Sequence, residues 1–216
     1  MTVSGSTMSD EHVVTSLDRL REVYPNAPGP VSLAKEKAVL TPAYAEIVRA
    51  SPFVVVTTVG PHGLDLSPRG DAAGFVEVRD ERTLVIPDRR GNNRLDTLSN
   101  LLRDRRIGLL FLVPGLGEEL RVRGAAVIST DPAELARHIV QGQVPASLIV
   151  VTVERVFFQC ARAVRRARLW DPEPQVAPGT LPTAGRMALE ARGLETAEEA
   201  AAYDAELPSR QEATLY

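Results

Sequence analysis

From Val54 to Val59 every side chain is valine or threonine. Branching at Cβ stiffens χ1 and suits the pleated, half-buried surface of a sheet, so Phe53–Val59 is a predicted β-strand. Gly60-Pro-His-Gly63 supplies turn residues that return the chain into Leu64–Ser67, which predicts a hairpin. Further strands are expected at Gly74–Val78, Thr83–Ile86, Arg106–Val113, Glu119–Ser129 and Ser147–Phe158. Turns such as Arg79-Asp-Glu-Arg82 and Pro114-Gly-Leu-Gly117 separate them. Short strands at these intervals favour a barrel or sandwich over a βαβ sheet.

Helices flank and interrupt the strands. Val13, Leu17, Leu20 and Tyr24 recur at helical spacing behind Ser9 or Asp10 as possible caps, and the pattern stops at Pro25. Thr41-Pro42 reads as an N-cap with proline at the first helical position, opening a helix that ends near Ser51-Pro52. Another helix is expected from about Arg94, with Leu95, Leu98 and Leu102 on one face, and a last one behind Asp131-Pro132. After Trp170 the run Asp171-Pro-Glu-Pro-Gln-Val-Ala-Pro-Gly-Thr-Leu-Pro182 reads as an extended linker to an Ala/Glu-rich tail. The expected architecture is mainly β with flanking helices (α+β). Residues 1–50 form an N-terminal helical extension, residues 51–172 the main domain, and residues 173–216 a Pro-rich linker and helical tail that reads as an appendage.

Composition narrows the function. A chain of 216 residues, 44% hydrophobic, can bury roughly 70% of its unfolded surface. Its single cysteine, Cys160, cannot form an intramolecular disulfide, and MTVSGSTMSDEH lacks the basic start and apolar run of a signal peptide, so a cytoplasmic protein is expected. The apolar runs Phe53–Val59 and Ile107–Val113 are too short for a membrane span. A net charge of −3 argues against a general nucleic-acid surface. Cys160 reads as an inert core thiol on a strand. His12, His62 and His138 have no neighbouring ligand pattern, so no metal site is expected.

The chemistry concentrates in Ile86-Pro-Asp-Arg-Arg-Gly-Asn-Asn-Arg-Leu-Asp-Thr, a strand end feeding an arginine- and glycine-containing loop that opens a helix. Asn93 is the expected N-cap, with Asp96 three residues later as a variant capping box. Free amides at such a terminus carry partial positive charge, and Arg89, Arg90 and Arg94 can add bidentate hydrogen bonds to phosphate oxygens. An ordinary polar loop before a surface helix is the alternative. A second cluster, Ser67-Pro-Arg-Gly-Asp-Ala-Ala-Gly-Phe75, places a cation and two glycines between strands, where backbone can approach a ligand or merely bulge.

In order, Arg69, Asp71-Ala-Ala-Gly-Phe75, Thr83–Pro87, Arg89–Arg94, Leu95–Leu102, Gly108-Leu-Leu-Phe111 and Arg121-Val-Arg-Gly124 resemble the FMN-binding split β-barrel of the pyridoxamine-phosphate-oxidase-like family. The resemblance covers about Ser51 to Pro172. It implies that Arg69, Arg89, Asn93 and Arg94 surround the FMN phosphate and ribityl chain, with Asp71 in the adjoining motif. It also implies that backbone at Ile86, Pro87 and Asp88 borders the isoalloxazine ring. A homodimer with each flavin between subunits is implied as well, with oxygen or NAD(P)H as a redox partner and a small-molecule substrate.

The departures bear on the substrate. Glu119 stands where oxidases acting on pyridoxamine phosphate carry glutamine, and their closing Arg-x-His-x-Arg signature is absent. Instead Val156–Trp170 closes the domain and resembles an uncharacterised bacterial branch. Its Arg162, Arg165, Arg166 and Arg168 read as solvated surface or as an anion-binding rim. Trp170 is a candidate for stacking on a flavin or substrate, or for packing across an interface. Non-catalytic flavin or haem binding and use of the deazaflavin F420 are the competing readings.

Overall fold

The structure, a computed structural model, describes residues 12–173, 175–177, 179–192 and 196–216. Two compact units divide at Lys35/Glu36. The expected caps Ser9 and Asp10 lie outside the described residues. In the first unit α1 spans Leu17–Val23, later than the sequence pattern suggests, because Ser16 is its cap: the hydroxyl accepts from the Arg19 amide at 3.1 Å. A short α2 follows at Pro30–Ala34, with proline in its first turn. No residue of either helix is buried.

The second unit opens with α3 (Pro42–Ala50), where the Thr41 hydroxyl accepts from the Tyr44 amide at 3.2 Å and Tyr44, Ala45 and Val48 are buried. This helix therefore packs with the sheet, Tyr44 and Val48 joining its core cluster. The strands are β1 (Phe53–Gly60), β2 (Gly63–Gly70), β3 (Glu77–Val78), β4 (Thr83–Asp88), β5 (Arg106–Leu112), β6 (Glu119–Ser129) and β7 (Ser147–Gln159). They pair antiparallel in the order β2-β1-β5-β6-β7-β4-β3. The expected strand at Gly74–Val78 shrinks to its last two residues, since Gly74 adopts φ +86°.

Alternation places Val54 and Val56 of β1, Leu109 and Phe111 of β5, Leu120 and Val122 of β6, and Ile149 and Val151 of β7 in one core. Leu84 and Ile86 of β4 join it from the far side, so the sheet wraps around its own apolar face. A β-bulge turns β7 on β6: Arg123 pairs with Arg155 and Gly124 with Val153, leaving Glu154 as the extra residue. Glycine is required at position 124, because a Cβ there would lie 2.0 Å from the Thr152 carbonyl oxygen.

Four further helices matter below: α4 (Asp96–Arg103), α6 (Arg162–Ala167), α7 (Ala184–Arg192) and α8 (Ala197–Glu212), with a short α5 at Pro132–Ala136 capped by Asp131 as expected. The face of α4 differs from the sequence expectation. Leu95 and Leu102 are exposed, while Thr97, Asn100 and Leu101 are buried and Leu98 packs beside the core. Two polar residues can face inward because Asn100 is satisfied there, donating to Thr58 Oγ1 at 3.0 Å and Asp65 Oδ2 at 3.3 Å. No helix among the described residues is long and apolar enough to cross a membrane.

Candidate functional site

Strand β2 carries Arg69, β4 ends in Asp88, and the 89–95 loop leads into α4. All three line one open cavity of about 1380 Å³. Within the loop Asn93 and Leu95 both adopt φ +58°. The expected cap is displaced: Leu95, not Asn93, is the N-cap of α4, and its side chain cannot accept a hydrogen bond. The nearby Asn92 Oδ1 instead accepts from the Arg94 amide at 3.1 Å. Helix α4 thus begins without a side-chain cap, and its first residues, Asp96, Thr97 and Leu98, face the cavity. Orphan amides and the helix dipole make that end attractive to an anion.

The arginines divide by burial. Arg89 is an inner group: Nε donates to Asp71 Oδ2 at 3.0 Å and Nη1 to the His138 carbonyl at 2.7 Å. Arg69 donates to Ser67 Oγ and to the Pro68 carbonyl at 2.9 Å, and its guanidinium lies 3.9 Å from Asp88. Burial pushes the Asp88 carboxyl above the ordinary carboxylate range, and Arg69 only partly offsets this. Arg94 is an outer group, 72% exposed, held by Asp96 at 2.6 Å. Apolar surface completes the cavity at Leu66, Phe75, Pro87 and Pro145.

Of the residues singled out in the sequence, Arg69, Pro87, Asp88, Arg89, Asn93 and Arg94 line this cavity together. Asp71 stands behind Arg89 with its side chain 3% exposed. Ile86 points its side chain into the barrel core. Trp170 lies elsewhere: its indole Nε1 donates to the Leu116 carbonyl at 2.7 Å, beside a separate cavity of about 360 Å³. The basic run beginning at Arg162 forms helix α6, and Cys160 follows β7 half-buried instead of sitting on a strand in the core.

The largest correction concerns the tail. Residues 197–216 are not an appendage, since Arg210, Gln211, Thr214, Leu215 and Tyr216 line the same cavity. Tyr216 Oη donates to Asp71 Oδ1 at 2.9 Å, and Arg89 stands 6.0 Å from the Tyr216 ring centroid. Local composition carried no signal for this contact, which joins residues far apart in the chain. Asp65 and the 143–146 loop also line the cavity and were not anticipated.

Comparison with known proteins bears on this geometry. A family model described as Pyridoxamine 5'-phosphate oxidase matches residues 40–160. No curated protein matches the chain. Among solved structures the chain is similar to HupZ from Group A Streptococcus, at 18% identity and a TM-score of 0.47, over 56% of this chain and 94% of that one. It is similar to a Clostridium acetobutylicum protein related to general stress protein 26, of the pyridoxinephosphate oxidase family, at 17% identity and a TM-score of 0.43, over 53% and 84% of the two chains. It is also similar to the FAD binding protein from Mycobacterium smegmatis, at 13% identity and a TM-score of 0.40, over 56% and 97%. The segment matched by the family model covers more than half of the 216 residues and takes in the whole sheet from β1 to β7. With that match and this strand order, the chain belongs to the pyridoxamine 5'-phosphate oxidase family and has its split β-barrel fold.

Proposed function

We propose that this protein binds FMN in the cavity between β2, β4 and α4 and works as a homodimeric oxidoreductase on a small-molecule substrate. The observation that carries the reading is the start of α4, which lacks a side-chain cap and lies beside Arg69, Arg89 and Arg94 in one cavity. Backbone amides and guanidinium groups are the donor set that a phosphate dianion requires. Leu66, Phe75 and Pro87, which line the same cavity, offer the apolar surface that a planar ring system requires. The residues therefore fit the group that the family implies.

Bound flavin supplies two-electron chemistry, and the protein supplies binding, orientation and local charge. Arg69 and Asp88 set the charge between phosphate and ring. At about 1380 Å³ the cavity exceeds the ~300–1,000 Å³ typical of a single ligand site, which leaves space for a substrate or NAD(P)H beside the flavin. Denaturing the purified protein and identifying what is released, by absorbance and mass spectrometry, tests the reading. Stoichiometric FMN is expected. Release of FAD, haem or F420 with no FMN would overturn it.

A further inference from the structure

We propose that residues 197–216 form a strap over the mouth of the candidate flavin site, with the Tyr216–Asp71 hydrogen bond as its latch, so that the strap sets how fast ligand enters and leaves. The inference rests on the flavin reading above for the identity of the ligand. It rests on this fold for the device itself.

Three observations carry it. The first is position: Arg210, Leu215 and Tyr216 line the cavity together with the 89–95 loop, whose Arg89 stands 6.0 Å from the Tyr216 ring centroid. The second is the latch, which falls on the carboxylate that organises the site. Asp71 accepts from Arg89 on Oδ2, and on Oδ1 from Tyr216 at 2.9 Å and from the Ala72 amide at 2.7 Å. The phenol is held protonated, since the hydrogen bond to the carboxylate raises its pKa.

The third observation is weak anchorage everywhere else. Helix α8 buries none of its residues and contains Pro208, while α7 buries only Gly185. The α7–α8 pair is fixed on itself, by close approach at Gly185 and by the Gly185 amide donating to Asp204 at 2.7 Å. Segments that bury little apolar surface open at low free-energy cost. One charge-assisted bond at the end of such a segment therefore governs its opening, and opening exposes the cavity.

Tyr216→Phe keeps the ring and deletes the donor, so it unlatches the strap without removing the wall. In the FMN-loaded full-length protein, release of flavin would be followed by the recovery of its fluorescence on dilution. In the ligand-free protein, trypsin cleavage after Arg210 would report opening of the strap. Loss of a hydrogen bond to a charged group corresponds to roughly tenfold or more in an opening equilibrium, so both rates should rise by about that factor in Tyr216→Phe. They should rise at least as much in Tyr216→Ala.

Unchanged flavin release from Tyr216→Phe, whatever its cleavage rate, overturns the strap. A wild-type protein that takes up no FMN overturns the cofactor reading instead. The cleavage comparison then decides the latch on its own, equal rates in the two proteins counting against it.

Discussion

The Arg89 guanidinium reaches Asp71 at 3.0 Å while the two side chains retain 15% and 3% exposure, so the ion pair at the heart of the candidate site is largely withdrawn from water. Arg89 also donates to the His138 carbonyl, which joins the 89–95 loop to the β2–β3 connection and to the segment after α5. A withdrawn charge is tolerated only while its partner and hydrogen bonds persist.

Asp71→Ala should therefore cost stability well beyond the lost contact, on the order of 3 kcal/mol, because Arg89 would be left buried and unpaired. Urea denaturation of the ligand-free protein checks this. Arg89→Met added to Asp71→Ala should recover part of the loss, since the uncompensated charge is then gone. A double variant no more stable than Asp71→Ala would show that the pair does not act as a unit.

That Arg69 and the 89–95 loop meet at one cavity, with Asp71 paired to Arg89, was legible in the sequence because the signals are local: residue order, a strand end, a turn and a cationic loop. Strand β6 was legible to its ends, Glu119 and Ser129, for the same reason. The inward face of α4 was not, because periodicity reads hydrophobicity alone. Thr97 and Asn100 are both buried, and Asn100 is so by virtue of partners on β1 and β2 that no helical window contains. Tyr216 was illegible in a stronger sense. Its Ala- and Glu-rich surroundings carry only weak amphipathic character, and its partner is a carboxylate 145 positions away.

Arg94→Glu should abolish flavin retention and leave the fold intact. The side chain is 72% exposed and contributes nothing to the core, so stability should be unaltered within error. Removing one charged hydrogen bond costs about 1.5–3 kcal/mol of ligand binding, and a carboxylate facing the phosphate adds repulsion. Flavin content and the thermal unfolding temperature of the variant are the paired measurements. Normal FMN content in a folded Arg94→Glu protein would place the phosphate elsewhere.

Acidification should weaken the fold through His138. Its imidazole is 10% exposed, and burial lowers its pKa against the opposing pull of Glu77, with Arg137, Arg89 and Arg79 lowering it further. The unfolded chain takes up this proton near pH ~6.5, whereas the folded chain resists until lower pH. Stability tied to neutral His138 is thus fully present above that value and is lost as the pH falls below it, levelling off beneath the folded-state pKa. His138→Gln should unfold with a shallower decline between about pH 7 and 5. Identical declines in the two proteins would show that His138 titrates alike in both states.

FMN binding should require two copies of the chain. Strand β2 is an edge strand, and on it Leu64 and Leu66 are 74% and 64% exposed on the face they share with Val55, Thr57 and Val59. An exposed apolar edge of this kind is an invitation to association. Leu66 also lines the cavity, so a partner seated on this edge would close the open side of the site. A two-fold interface would use the patch twice and complete two equivalent sites. Flavin and assembly are then linked: added FMN should favour the dimer and raise the unfolding temperature. Leu66→Glu places a charge at the centre of the patch, and it should shift the protein towards monomer while lowering FMN affinity, with little effect on the core. Sedimentation of the FMN-loaded protein at low concentration decides the matter. A monomer retaining its full flavin complement would show that one chain builds the whole site.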